Sequence, residues 1–230
     1  VVVEKEGETI IETVVVEKEG ETIVETVVVE VEGEGGSSRG SSGSLTILYW
    51  QAASTMNAYL SGGTKDIHAS SMVLEPLARY DEAGNMVPWL AVEIPTLENG
   101  GVSEDLTSIT WKLRDDIVWS DGTPLTADDV VFTGDYCLNP DMGCNALSAF
   151  ADVAGFEAVD ANTVKITFNV AKPFPYGPFV GGTSPILQAA QFADCTVAAA
   201  QECTEQNFYP IGTGPFTVTE FRANDTVLLT

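Results

Sequence analysis

The spacing of apolar and polar positions changes character several times along the 230 residues, and each change predicts an element. At the N-terminus VVVEKEGETIIET is followed by VVVEKEGETIVET and then decays into VVVEVEGEG, a period of thirteen counted from Val1 and Val14. Valine, isoleucine and threonine favour strand, and Glu-Gly breaks favour turns. One reading is a β-ribbon turning near Gly7 and Gly20; the plainer one is a solvated, acidic tether, β-prone but without a partner face. GEGGSSRGSSGS, residues 33–44, then reads as a flexible linker. Residues 45–50, LTILYW, predict a short apolar strand, and the small, polar residues 51–63 a loop at its end. Ile67, Val73, Leu74 and Leu77 form an imperfect helical face over 66–77. A turn at 81–84 leads to residues 87–92, where Pro88 and Pro95 limit regular structure.

The run 111–136, WKLRDDIVWSDGTPLTADDVVFTGDY, carries the densest signals. Residues 108–113 and 117–119 read as strands, with Arg114-Asp115-Asp116 as a polar break. Asp121-Gly122 is a tight-turn pair, because glycine accepts positive φ without steric cost. Thr126 reads as a helix N-cap with Asp129 in the reciprocal capping position, and Val130 and Val131 begin the buried side of a helix over 127–137. Further on, 156–159 and 163–168 alternate around Asp160-Ala161-Asn162, a hairpin signal. A prolyl stretch at 173–178 is extended, 185–192 predicts a short helix, and 216–221 with 226–229 predicts a second hairpin.

Composition narrows the function. There are 34 acidic and 10 basic residues, a formal net charge of -24. Phosphate backbones are repelled by such a chain, so nucleic-acid binding is not expected, and an anionic membrane surface is disfavoured by the same field. Cationic or neutral ligands are favoured. No apolar run reaches the length of a membrane span. The chain begins at Val1 without a Met, a basic region or an apolar leader, and so reads as a mature or trimmed product. Cys137 and Cys144 are spaced C-x6-C, and Cys195 and Cys203 C-x7-C. We expect each couple to close a short disulfide loop in an oxidising compartment. Four cysteines allow three connectivities; a four-thiolate zinc site, without any C-x2-C spacing, and buried free thiols are the alternatives.

Catalytic chemistry finds little to use. His68 is the single histidine, and no G-x-S-x-G elbow accompanies a serine. The adjacent pairs Asp115-Asp116 and Asp128-Asp129 suit turn and cap positions better than an acid/base dyad. Neither an enzyme, a bound metal nor a cofactor is expected. Trp111 and Trp119 lie inside strand signals and belong to a core, whereas Trp50 borders the polar loop and is as well placed for a ligand as for packing.

Three segments resemble the solute-binding proteins of bacterial ABC importers, in the oligopeptide, dipeptide and nickel-binding family. Residues 111–133 resemble that family's W-x-L-R … W-x-D-G-x-P-L-T-A-x-D-V-V-F segment. LEPLARY at 74–80 with GNMVPWLA at 84–91 is similar to an early family segment, and GTGPF at 212–216 to its G-T-G-P turn. The resemblance covers about 45–230. It implies an α/β, periplasmic-binding-protein-like (type II) lobe with a mixed sheet and flanking helices. Domains are then expected at 1–44, a repetitive tether and linker, and at 45–230, the N-terminal lobe of a two-lobed clamp whose second lobe and returning segment lie outside these residues. The implied function is capture of a solute, in the first instance a peptide, and its delivery to ABC permease subunits from a periplasmic or extracellular position. That position implies membrane anchoring through residues upstream of Val1 and a monomeric state. Extracellular adhesion through the repeat is the rival reading. Ligands of open α/β sheets lie beyond the strands' carboxyl ends. That rule selects Gln51, Ala53, Ser54 and Asn57, with Tyr59 close by and Trp50 closing the strand before them; the resemblance implies that this loop contributes to the peptide cleft. Gly182, Thr183, Gly212 and Thr213 are further candidates, for which turn geometry is the competing explanation.

Overall fold

The computed structural model describes the backbone at residues 2–4, 9–18 and 21–30, and backbone and side chains at 43–230. Two compact units are present, residues 1–48 and 49–230.

In the first, β1 (Val2–Glu4), β2 (Thr9–Lys18) and β3 (Glu21–Glu30) form an antiparallel sheet in the order β1-β2-β3. Val3 faces Ile10, and Thr13 faces Thr26. Both ladders keep the register of the thirteen-residue repeat. The β-prone character expected of the repeat is expressed as these three strands. The turns expected at Gly7 and Gly20 and nearly all of the Gly/Ser linker lie outside the described residues.

The second unit is α/β. Residues 45–50 join no ladder among the described residues, and Leu45, Leu48 and Trp50 are exposed. The expected strand is therefore not formed, because an apolar β-branched run becomes a strand only when a neighbour takes up its backbone donors and acceptors. A helix α1 (Thr64–Ser70) follows, shorter than the 66–77 expected; Val73, Leu74 and Leu77 are buried from irregular backbone instead. β4 (Ala78–Tyr80) and β5 (Met86–Pro88) make a small hairpin over the turn at Asp81. β6 (Ser108–Lys112) carries Trp111 into the core. Residues 117–119 form a tight loop and not a strand, closed by the Val118–Pro124 bridge and by Trp119 N–H donating to Thr123 O, with Gly122 at φ +86°.

Helix α2 (Ala127–Leu138) starts as its sequence predicts: the Thr126 N–H donates to the Asp129 carboxylate at 3.0 Å. β7 (Val153–Asp160) and β8 (Thr163–Phe168) are the expected hairpin, and with β6 they form the sheet β6-β8-β7. Gly134 brings α2 against that sheet, since a side chain there would collide with the ring of Phe156. α3 (Ala189–Phe192) is the second half of the helix expected over 185–192, and α4 (Thr204–Phe208) follows the second disulfide loop. β9 (Val218–Arg222) and β10 (Thr226–Leu229) close the chain as a hairpin. A parallel bridge, Ala78 to Val180, makes the pairing mixed. The core is aromatic, with Phe150 set edge-on to Tyr59, Phe156 and Phe179.

Candidate functional site

The loop that follows residue 50 is wrapped around one carboxylate. Asp66, on α1, is fully buried. It accepts from Ser54 N–H at 2.6 Å, Ser54 Oγ at 3.0 Å and Ser61 Oγ at 2.5 Å, and Lys65 Nζ pairs with it at 2.7 Å. Burial alone would raise this carboxyl. The Lys65, Ser61 and Ser54 donors outweigh burial and hold it below the usual range. Both ends of the loop are thus tied to one point on α1.

The middle of the loop is held from the far end of the sequence. Asn57 Nδ2 donates to Asn207 Oδ1 at 2.9 Å and to the Tyr136 hydroxyl at 3.3 Å. Met56 N–H donates to Asn207 O at 2.8 Å, and Asn207 Nδ2 in turn donates to Ala200 O at 2.7 Å. Tyr59 is buried, and its hydroxyl donates to Pro185 O at 2.5 Å. Burial raises the Tyr59 hydroxyl strongly and pushes that of Tyr136 up to about 12. Asn57 and Tyr59, both candidates for ligand contact, are fully buried and engaged inside the protein, so they shape the loop from beneath. Ala53 and Ser54 are half-buried, while Gln51 and Trp50 are exposed, Trp50 at 73%.

The remaining candidates converge on α1 and the residues just after it. A side chain at Gly182 would press on Ser71 Oγ, at 2.7 Å; Thr183 beside it is exposed. Gly212 is packed on the Val73 carbonyl, where no Cβ fits, and Gly214 N–H donates to that same oxygen at 2.8 Å. Thr213 Oγ1 donates to Glu75 Oε2 at 2.8 Å; Glu75 Oε1 accepts from Trp89 Nε1 at 2.6 Å, and the Arg79 guanidinium lies 3.1 Å from the Trp89 ring centroid. The 212–214 turn is explained by close backbone approach. The loop 51–61, residues 182–183 and residues 212–213 thus each contact a residue within 64–75. Two surface cavities, of about 140 and 120 Å³, lie elsewhere, at residues 93–112 and 148–178, and neither is lined by a candidate residue.

Sequence reading missed Asp66, Asn207 and Glu75, the polar groups that build this region. Both disulfides are present as expected, with Cα separations of 5.3 Å for Cys137–Cys144 and 5.7 Å for Cys195–Cys203. Their loops touch: Val197 N–H donates to the Met142 sulfur.

The architecture is that of type II periplasmic binding proteins. The oligopeptide-binding protein AppA of Bacillus subtilis, solved with a nonapeptide, superposes with a TM-score of 0.66 at 23% identity, over 77% of this chain and 34% of that one. In sequence, the family described as bacterial extracellular solute-binding proteins, family 5 Middle, matches residues 85–230. The chain belongs to that family. It is 31% identical over 131 residues to the glutathione-binding protein GsiB of Escherichia coli K12, covering 56% of this chain and 24% of that protein. It is 28% identical over 156 residues to the nickel-binding periplasmic protein of the same organism, covering 68% and 28%. The chain thus spans about a quarter of the length of these curated relatives.

Proposed function

We propose that this chain contributes one lobe, residues 45–230, of an extracytoplasmic clamp that holds a peptide without altering it and presents it to the permease subunits of an ABC importer. The observation that carries the reading is the family match over residues 85–230. The loop 51–61 supplies one wall of the cleft, with Trp50, Gln51 and Ser54 toward the solute and Asn57 and Tyr59 beneath. Thr183 and Thr213 flank it. A peptide suits this wall, since its backbone is matched by loop amides and hydroxyls with little demand on sequence, and the acidic surface favours cationic members of a pool. Capture then proceeds by hinge closure on a second lobe. The clamp acts in the periplasm or outside the cell, anchored through residues before Val1.

Trp50 reports on the reading. Trp111 and Trp119 are fully buried, so the solvent-sensitive emission comes chiefly from Trp50 and Trp89. Titrating a mixed pool of short peptides into the protein is expected to shift emission to the blue, with saturation and a matching calorimetric heat. Trp50→Phe should abolish the shift while leaving the fold unchanged by circular dichroism. Heat without a Trp50 signal would move the site off this loop; indifference to every peptide would remove the peptide assignment.

A further inference from the structure

Within the N-terminal sheet, the described ladders leave the outer side of β3 and the β1 side of β2 beyond Ile11 without a partner strand. Among the described residues no strand pairs with β3 on the side away from β2. In the sequence, the repeat ends before it could supply a fourth strand: residues 35–44 read GGSSRGSSGS. An unpaired ten-residue edge is a template for another strand, and proteins that leave one open have a use for it or a means of blunting it.

The repeat itself identifies the occupant. Residues 22–30 of β3 repeat residues 9–17 of β2 thirteen positions on, with Val24 in place of Ile11, so the β2–β3 ladder pairs the repeat antiparallel with its own copy, Thr13 opposite Thr26, Glu12 opposite Val27 and Val14 opposite Glu25. The shorter β1–β2 ladder keeps the same relation, Val3 opposite Ile10 and Glu4 opposite Thr9. Each strand thus presents equivalent edges to its neighbours. Carried one step outward, the same register sets β3 against a second β3 across a two-fold axis at Thr26: Thr26 faces its own copy, Val24 faces Val28, Glu25 faces Val27 and Glu30 faces Thr22. No glutamate faces a glutamate, so the acidic repeat pairs with itself without opposing like charges.

We propose that two copies of this chain associate through β3, antiparallel and centred on Thr26, to give a continuous six-stranded sheet β1-β2-β3-β3-β2-β1. The interface is isologous and consumes the long edge of both partners. With a net charge of -24 on each chain, the dimer gains affinity as salt screens the long-range repulsion.

Cysteine cross-linking tests this on the full chain, because all four native cysteines are in disulfides and an introduced one is the sole free thiol. Directly opposed residues of an antiparallel pair have Cβ atoms about 5 Å apart. Thr26→Cys is expected to form a covalent dimer on mild oxidation. Val24→Cys alone is not, while a mixture of Val24→Cys and Val28→Cys chains gives the mixed dimer. Sedimentation of the unmodified chain should show a monomer–dimer equilibrium that tightens with salt. Thr26→Glu faces neutral Thr13 within the chain but its own copy across the axis, and should weaken the dimer several-fold. Mixing it with Thr26→Lys restores it. A monomer at every concentration and salt, or equal cross-linking at positions 24 and 26, overturns the proposal; the first means no association and the second mere collision.

Discussion

Asp66 keeps its charge in the interior because the loop it holds is made of donors. The Ser54 amide and hydroxyl, the Ser61 hydroxyl and Lys65 all point at one carboxylate. Its folded pKa lies below the ordinary carboxylate value, so the sign of its pH dependence is fixed. Its contribution to stability is complete above the unfolded pKa of about 4 and is lost as pH falls through the lower, folded value. Asp66→Asn offers the same shape but brings N–H groups to a site already crowded with donors, and leaves Lys65 without its counter-charge. We expect a loss of about 2 kcal/mol at pH 7, read from urea denaturation. As pH falls below about 4 the gap between the variant and the native chain should narrow, and it should close once the lower, folded pKa is passed. A gap that stays constant down to pH 2 would show that Asp66 is not ionised in the fold.

At the scale of elements, legibility tracked how local each cause was. The β7–β8 hairpin and α2 could be read from sequence because alternation, Asp160-Ala161-Asn162 and the Thr126–Asp129 cap all act within a few residues. Residues 45–50 and 117–119 were misread as strands for the converse reason: composition supplies propensity, whereas the ladder depends on a distant partner. The site was read unevenly by the same logic. The loop 51–61 was located from its place after an apolar run, but its fastening is invisible locally, since Asn57 meets Asn207 across 150 positions. Gly212 shows a local motif with a non-local cause. It resembled a ligand-contacting turn, and its smallness is required by the Val73 carbonyl packed against it. Gly212→Ala should therefore cost about 3 kcal/mol or more through overpacking against rigid backbone. The check is the urea midpoint, together with the Ser120 amide that donates to Gly212 O at 2.9 Å, whose hydrogen exchange should accelerate. An unchanged midpoint would return residue 212 to the list of ligand contacts.

At the scale of the whole unit, the two disulfides act on the loop 51–61 through the residues that fasten it. The Cys195–Cys203 loop carries Ala200, whose carbonyl fixes the Asn207 amide; Asn207 then holds Met56 and Asn57. The Cys137–Cys144 loop carries Met142, which contacts Val197 in the other loop, while Tyr136 beside it reaches Asn57. Each bridge closes a loop of seven or eight residues by sequence separation, worth about 2.5 kcal/mol in chain entropy. Their effects differ in where they are felt. Replacing Cys195 and Cys203 together by alanine should lower stability by about that amount and also speed hydrogen exchange at the Met56 amide. Replacing Cys137 and Cys144 should cost a similar amount but leave the Met56 amide closer to native, since the Asn207 backbone still accepts from it. Amides of β6 and β8, outside both disulfide loops, should slow or speed only with global stability. If both double variants loosen Met56 equally, and no more than β6, the bridges stabilise the fold as a whole and the loop owes them nothing particular.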